Sequence, residues 1–285
     1  LSFSDRVFKW KVLISIQFYL NKMKQREVKR GVALVLISLI IVSIIPLGFA
    51  TTNYTLIYDA NGNLVQSLDQ YYEYNSLNQL ISVRDTNSSG TVIAQYFYDD
   101  SGNRIKKIDF NSDGINSTTY YIDEDFVQVV NSTGKFNTTY YYDGKDLIAE
   151  SNQNGTNLFY HPDQLGSNVL ITDASGGVVE KTFYQPYGTV ISGGNSRYLY
   201  TSKEKDQNGL YYYRARYYDP TLNHFTQPDT ILPNIYDPQQ LNHYSYARNN
   251  PYTYNDPTGH FMDTALDIGF VGYDLYSIIQ NPRES

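Results

Sequence analysis

The sequence predicts an all-β protein: a curled antiparallel sheet of hairpins that forms a partial shell, with an apolar helix before it and a short helix after it. Thirty of the 285 residues are tyrosine, a residue type that favours pleated, half-buried surfaces. Short aromatic runs alternate from Tyr54 onward with clusters of glycine, asparagine and aspartate, as in successive hairpins. Apolar segments of helical length lie outside this region, at residues 31–50 and 264–280.

Residues 1–50 differ in composition from the rest and predict an export signal or a membrane anchor. Four basic residues precede an apolar run, and a small-x-small pattern ending at Ala50 follows it. Met23 stands where such a signal would begin, so residues 1–22 are interpreted as an upstream segment. Two alternatives stay open: cleavage after Ala50, or a helix over residues 31–50 that spans the membrane. Both predict an extracytoplasmic protein, either secreted or anchored at the cell surface.

Six N-x-S/T sequons agree with export and are predicted glycosylation sites on exposed hairpin loops. All six precede residue 155: Asn53, Asn87, Asn116, Asn131, Asn137 and Asn154. The alternative is chance, because asparagine, serine and threonine are abundant in this chain.

Residues 51–160 contain a repeat that predicts one β-hairpin per unit. YDANGNLV begins at Tyr58, YNSLNQLI at Tyr74 and YDDSGNRI at Tyr98, and weaker copies begin at Tyr121 and Tyr142. In each unit the Asp or Asn binds the turning backbone, glycine takes a left-handed conformation, and Leu or Ile starts the return strand. Single hairpins are marginally stable, so neighbouring units are expected to pair and bury a shared face. The pattern resembles the YD repeat of Rhs proteins and of toxin-complex and teneurin shells.

Residues 161–260 carry a second series of motifs, which is more specific. It includes D-x-x-G-S at Asp163, Y-x-P-Y-G ending at Gly188, GLYYYRARYYDP from Gly209, and N-N-P-x-x-x-x-D-P-x-G ending at Gly259. Their order resembles the Rhs repeat-associated core domain. The stretch YYYRARYY reads as one strand, which would place two arginines on the same side of it.

The resemblance implies a shell that encloses a variable C-terminal toxin, with a core that closes one end and cuts the chain after D-P-x-G. On this basis Asp229 and Asp256 are the candidate acid pair, and Arg216 and Arg248 would hold a carboxylate or polarise a carbonyl. Two acids placed close together separate their pKa values, so that one activates water while the other donates a proton. The alternative is structural: the aspartates would form turns, and the arginines would make ion pairs or stack on aromatic rings.

The cut is expected just after Gly259, near His260 and Phe261. His260 departs from the leucine that is frequent in the family at this position, which leaves the cut and its site open. Residues 261–285 resemble the helical linker that precedes a toxin, and they are too short to fold as a toxin. We therefore expect them to be a truncated toxin junction.

Composition excludes several classes of function. The net charge of −7 argues against binding nucleic acid, and the absence of cysteine excludes disulfides, thiolate catalysis and cysteine-ligated zinc. The pattern D-x-N-x-D-G from Asp109 resembles half a calcium loop, but residue 120 is tyrosine and a hairpin turn is favoured. The histidines lack metal-ligand spacing. Neither a metal nor a cofactor is predicted.

The sequence therefore predicts a structural module that displays or encapsulates a C-terminal polypeptide and is at most an intramolecular aspartyl autoprotease. Its predicted partners are a C-terminal toxin or a surface glycan or protein, and the membrane through residues 31–50. Three alternatives stay open: a surface adhesin that binds glycans, an autoprotease whose cutting is the main event, and a decayed fragment without function.

Overall fold

The computed structural model describes residues 55–112, 114–144, 146–231 and 238–260. Within these ranges the protein is all-β, with three one-turn 3-10 segments at Tyr200–Ser202, Pro238–Gln240 and Ala247–Asn249. No helix in these ranges is long and apolar enough to cross a membrane. The helices predicted for residues 31–50 and 264–280 lie outside the described residues.

Thirteen strands form one open antiparallel sheet in which each strand pairs with its neighbours in sequence. They are β1 Ile57–Tyr58, β2 Leu64–Ser67, β3 Gln70–Tyr74, β4 Leu80–Asp85, β5 Val92–Tyr98, β6 Arg104–Asp109, β7 Ser117–Tyr121, β8 Phe126–Asn131, β9 Gly134–Asp143, β10 Asp146–Asn152, β11 Asn157–Pro162, β12 Asn168–Asp173 and β13 Val178–Lys181. The sheet continues through residue 160, where the core segment was expected to begin, so that boundary stays a prediction.

The turns between these strands confirm the predicted chemistry of the repeat. In the first unit Asp59 Oδ1 accepts the backbone N–H groups of Asn61 at 2.9 Å and Asn63 at 2.8 Å. Gly62 has φ +84°, a left-handed conformation that costs glycine little. Asp99 and Asp163 accept the corresponding N–H groups four residues further on. The local motif therefore determines the turn at these three aspartates, whereas in the unit that begins at Tyr74 the left-handed position is taken by Asn78, with φ +59°.

Two smaller sheets follow the main sheet. One pairs β14 (Phe183–Tyr184) with β15 (Val190–Ser192), and the other contains β16 (Glu204–Lys205), β17 (Tyr211–Tyr212), β18 (Tyr217–Asp219) and β19 (His224–Phe225). The four-stranded sheet packs on the main sheet, because Leu210 and Tyr217 share an apolar cluster with residues of β2 to β5. A second cluster, rich in tyrosine, fills the interior of the core segment.

The prediction of one continuous strand over YYYRARYY is wrong. The chain reverses between β17 and β18, where the Tyr213 N–H donates to the Arg216 carbonyl at 3.0 Å. Arg214 takes the left-handed conformation at the turn, with φ +68°. The two arginines consequently separate: Arg214 is exposed, whereas Arg216 is buried. The turn has none of the glycine, proline or asparagine residues that signal a reversal.

A buried ionic cluster connects the core to the main sheet. We define it as Arg104, Lys107, Asp109, Arg197, Glu204 and Asp206. Arg104 of β6 donates to Glu204 at 2.6 Å and to Asp206 at 2.7 Å. The Arg104 guanidinium also lies 4.1 Å from the centre of the Tyr212 ring, a cation–π contact. The position of the core on the sheet thus depends on complementary buried charges.

Candidate active site

The fold brings together three residues that the sequence suggested as catalytic. Arg216 lies at the entry to β18, Asp229 follows β19, and Asp256 lies in the D-P-T-G turn. Arg216 Nη2 is 2.9 Å from Asp229 Oδ2 and 3.4 Å from Asp256 Oδ2. All three side chains are at most 5% exposed, so the two carboxylates share one buried guanidinium nitrogen.

Arg216 also contacts the expected cleavage position. Its Nε donates to the carbonyl oxygen of Gly259, and its Nη1 donates to the carbonyl of His243 at 2.9 Å. The guanidinium carbon lies 3.8 Å from the centre of the Phe225 ring, so the cation stacks on that ring in a cation–π contact. One residue therefore pairs with both acids, stacks on an aromatic ring and polarises the Gly259 carbonyl.

The D-P-T-G turn holds Gly259 in a defined conformation. Asp256 Oδ1 accepts the N–H of Gly259 at 2.8 Å and that of Thr258 at 3.2 Å. Gly259 has φ +74°, and a Cβ at this position would collide with the carbonyl oxygen of Tyr213. Lys203 Nζ donates to the Pro257 carbonyl at 2.6 Å. Asp256 thus makes the contacts of a turn residue as well as those of an acid beside the Gly259 carbonyl.

Burial dominates the electrostatics of this site. It raises the pKa of Asp256 above the usual range of an aspartate, and the charge of Asp229 adds to this effect. Arg216 and the two backbone N–H groups oppose the shift in pKa without cancelling it. Burial also lowers the pKa of Arg216, against the attraction of both carboxylates. Asp256 therefore accepts a proton more readily than an ordinary aspartate.

His260 and Arg248 complete the walls of a small cavity beside the acids. His260 Nδ1 lies 3.4 Å from Asp229 Oδ1, which also accepts the N–H of Ile231 at 3.0 Å. The centre of a water molecule can occupy about 20 Å³ of this cavity, which Asp229, Asp256, Arg216, Arg248 and His260 all line. That volume is enough for one water. Phe261 lies outside the described residues.

The sequons differ in their surroundings. Asn87, Asn116 and Asn154 are exposed in loops, and Asn53 lies outside the described residues. Asn131 and Asn137 are half-buried at strand residues, and their amide oxygens accept hydrogen bonds from Thr133 and Gln128 respectively. Glycosylation of all six sites stays a prediction.

The half calcium loop lies on a hairpin connection. Asp109 turns inward to Lys107, with Nζ and Oδ2 3.5 Å apart, and Asp113 lies outside the described residues. Over the described ranges no group of three or more histidine, aspartate or glutamate side chains is arranged to hold a metal ion.

Sequence reasoning did not identify Lys203 and Phe225, which hold the D-P-T-G turn and the Arg216 guanidinium. Neither residue lies in a motif with chemical meaning of its own. Phe225 lies nine positions after Arg216 on a neighbouring strand, and Lys203 lies 54 positions before Pro257. Only the packing of the core brings them to the site.

Comparison with known proteins assigns the family. The family model described as teneurin YD-shell matches residues 45–252. The chain belongs to this family. The match runs through the main sheet and most of the core, and it ends before Asp256 and the predicted cleavage position. The YD-shell assignment confirms the Rhs/YD-repeat resemblance and shows that the chain is a shell-type module.

The relatives of this YD-shell chain are much longer proteins. The tRNA3(Ser)-specific nuclease WapA of Bacillus spizizenii is 32% identical over 229 residues, which cover 77% of this chain and 10% of the nuclease. Teneurin-m of Drosophila melanogaster is 24% identical over 76% of this chain and 8% of its own length. The chain therefore spans about a tenth of the curated relatives it matches.

A solved structure supports the fold. The crystal structure of TcdB2-TccC3 matches with a TM-score of 0.62 and 23% identity, over 71% of this chain and 11% of that chain. At this identity the similarity shows the fold alone.

Proposed function

We propose that this YD-shell module displays or encloses a C-terminal polypeptide and that its core hydrolyses its own chain between Gly259 and His260. The observation that carries the proposal is the contact of Arg216 with the Gly259 carbonyl while the same guanidinium pairs with Asp229 and Asp256. A carboxylate pair joined to a polarised peptide carbonyl is the arrangement that general acid–base hydrolysis requires.

Each residue has a role in the proposed reaction. Asp229, which lines the water-sized cavity, takes a proton from water as the oxygen adds to the Gly259 carbonyl carbon. Arg216 stabilises the negative charge that develops on the carbonyl oxygen. The bond from Gly259 to the nitrogen of His260 then breaks, and that nitrogen takes a proton from Asp256, whose pKa is raised. The new Gly259 carboxylic acid returns a proton to Asp256, and the proton held by Asp229 passes to the amine of His260. The products are therefore a Gly259 carboxylate and a protonated amine on His260, with both aspartates back in their starting states.

The nature of the enclosed polypeptide is proposed from the relatives. One relative is named a tRNA nuclease, and another, 35% identical over 114 residues, is named toxin subunit YenC1 of Yersinia entomophaga. We propose that the polypeptide after Gly259 is a toxin junction and that the module acts outside the cytoplasm, secreted or anchored through residues 31–50. The open sheet of thirteen strands would supply part of a larger shell.

Intact mass of the full chain tests the proposed cut. Under denaturing conditions the wild-type chain should separate into residues 1–259 and 260–285, whereas Asp229→Asn and Asp256→Asn should remain whole. Asp173→Asn is the matched control, since Asp173 is a partly exposed aspartate whose carboxylate accepts the N–H of Gly177 in a hairpin turn far from the site in sequence, and its replacement should leave the cut unchanged. A wild-type chain that stays whole after prolonged incubation would contradict the proposal, as would an Asp256→Asn chain that is cut normally.

A surface adhesin that binds glycans is the second candidate function. The observation in its favour is a cavity of about 440 Å³ whose lining is mainly apolar and includes Phe183, which is 58% exposed, and Tyr252, which is 68% exposed. Exposed aromatic rings beside Gln164 and Gln185 offer stacking and hydrogen bonds to a sugar. A glycan array on which the wild type and a Tyr252→Ala variant give equal signals would remove this candidate.

A further inference from the structure

A second and larger cavity adjoins the candidate active site on the side of His260. It has a volume of about 350 Å³ and lies between the main sheet and the core. The turn from β3 to β4, with Leu77, and the turn from β5 to β6, with Asn103, form one wall. The core supplies the other wall through Arg214 and His260. We call this space the exit cleft.

The exit cleft reaches His260, the residue that follows the proposed cleavage position. His260 lines both the small cavity beside the acids and the exit cleft. Phe261 follows His260 in the sequence, so a single peptide bond joins it to a residue that lines the exit cleft. The two sides of the bond therefore have different surroundings: Gly259 contacts Arg216, and His260 lines the exit cleft.

The chemistry of the exit cleft matches the sequence that follows. Leu77 is 74% exposed, the most exposed large apolar side chain within the described ranges, although it lines a cavity. The volume of the exit cleft is in the range of pockets that hold small ligands, which is enough for one or two side chains. The chain continues as Phe261-Met262-Asp263, two apolar residues and then an acid. Arg214, which pairs loosely with the exposed Glu124 at 3.4 Å, supplies positive charge for that acid.

We infer that the exit cleft binds Phe261 and Met262 and so acts as the subsite for the residues after the cut. The role as a subsite rests on the proposed function, because it requires that the chain is cut after Gly259. The binding of Phe261 and Met262 to the exit cleft does not require the cut. Holding the two apolar side chains fixes the register of the Gly259–His260 bond against Arg216. The same contacts retain residues 260–285 on the core after hydrolysis.

Photo-crosslinking in an uncut chain tests the binding directly. The photoreactive residue p-benzoylphenylalanine replaces Phe261 in the full-length Asp256→Asn variant, and mass spectrometry maps the residues joined to it after irradiation. We expect crosslinks at Leu77 to Leu80 or at residues 98–103. Crosslinks to the groove around Phe183 and Tyr252, or no intramolecular crosslink, would overturn the inference.

The cutting rate provides the second readout. Leu77→Asp should slow the cut about fivefold, the effect of losing roughly half the burial energy of one leucine side chain. Val178→Asp is the matched control, because Val178 is 58% exposed at the start of β13, outside the exit cleft, and should leave the rate unchanged. Equal rates in the two variants would overturn the subsite assignment. Crosslinks at Leu77 in a protein that never cuts would leave the cleft binding intact and remove the proposed function.

Discussion

Replacing Glu204 with glutamine should destabilise the protein more than a glutamate-to-glutamine substitution at any surface position. Glu204 accepts hydrogen bonds from Arg104 at 2.6 Å, Arg197 at 2.6 Å, Lys107 at 3.0 Å and the hydroxyl of Tyr121 at 2.8 Å. Glutamine keeps the shape of the side chain but removes its charge. It also places an amide N–H₂ where two of these donors now point.

The magnitude follows from the charges of the buried ionic cluster. Three cations, Arg104, Lys107 and Arg197, face three carboxylates, Asp109, Glu204 and Asp206, and the two carboxylates nearest to Arg104 are at most 4% exposed. Without Glu204 the cluster carries one uncompensated buried positive charge. Breaking a buried pair in this way costs about 3–5 kcal/mol in the free energy of unfolding.

Urea unfolding followed by circular dichroism measures this loss. The matched control is Glu73→Gln, because Glu73 pairs with Arg84 at 3.1 Å on the surface, and such pairs contribute about 0–1 kcal/mol. Partners of Glu204 hold its pKa well below the usual glutamate range in spite of burial. The stabilisation is therefore complete above the ordinary glutamate pKa and disappears as the pH falls through the folded-state value. A Glu204→Gln loss no larger than that of Glu73→Gln would refute this account of how the core is held.

Three further predictions concern single side chains. Asp256→Asn should keep the free energy of unfolding at pH 7 within about 1 kcal/mol of wild type, since burial disfavours the charged carboxylate and asparagine can still accept the Gly259 N–H. Tyr213→Phe should lower that free energy by about 1–3 kcal/mol, because the buried hydroxyl bonds Thr201 at 2.6 Å and Tyr246 at 3.1 Å. Expression in a glycosylating secretory pathway should modify the exposed Asn87, Asn116 and Asn154 more fully than Asn131 and Asn137, as peptide mapping would measure.

Each of these predictions has a control. If the free energy of unfolding of Asp256→Asn lies several kcal/mol below that of wild type, the Asp256 carboxylate mainly stabilises the turn. Tyr120→Phe, at an exposed tyrosine on the same protein, should be nearly neutral, and equal losses in Tyr213→Phe and Tyr120→Phe would contradict the role given to the buried hydroxyl. Equal glycan occupancy at Asn137 and Asn154 would show that the strand contacts of Asn137 do not restrict modification.

The main sheet was predictable because its determinants are local. Asp59 and Gly62 lie within one turn, and their hydrogen bonds and left-handed φ form wherever that motif occurs. The pair of aspartates at the candidate site was identified from the position of each in a recognisable motif. Their shared contact with Arg216 was not predictable. The alternating pattern predicts one continuous strand through residue 216, whereas the chain reverses at Arg214 and this reversal sets the position of Arg216.

By itself the sequence determined the all-β class and the repeated hairpins, since each depends on residues a few positions apart, and the motifs that resemble the Rhs core pointed to the two candidate aspartates. Only the tertiary structure decided how the core joins the sheet and what Arg216 does. Arg104 and Glu204 are 100 positions apart, and Arg216 and Gly259 are 43 apart. Contacts over such separations depend on how the tyrosine-rich clusters pack. The ion pairs of Arg104 and Arg216 become strong and selective for their partners only when that packing excludes water.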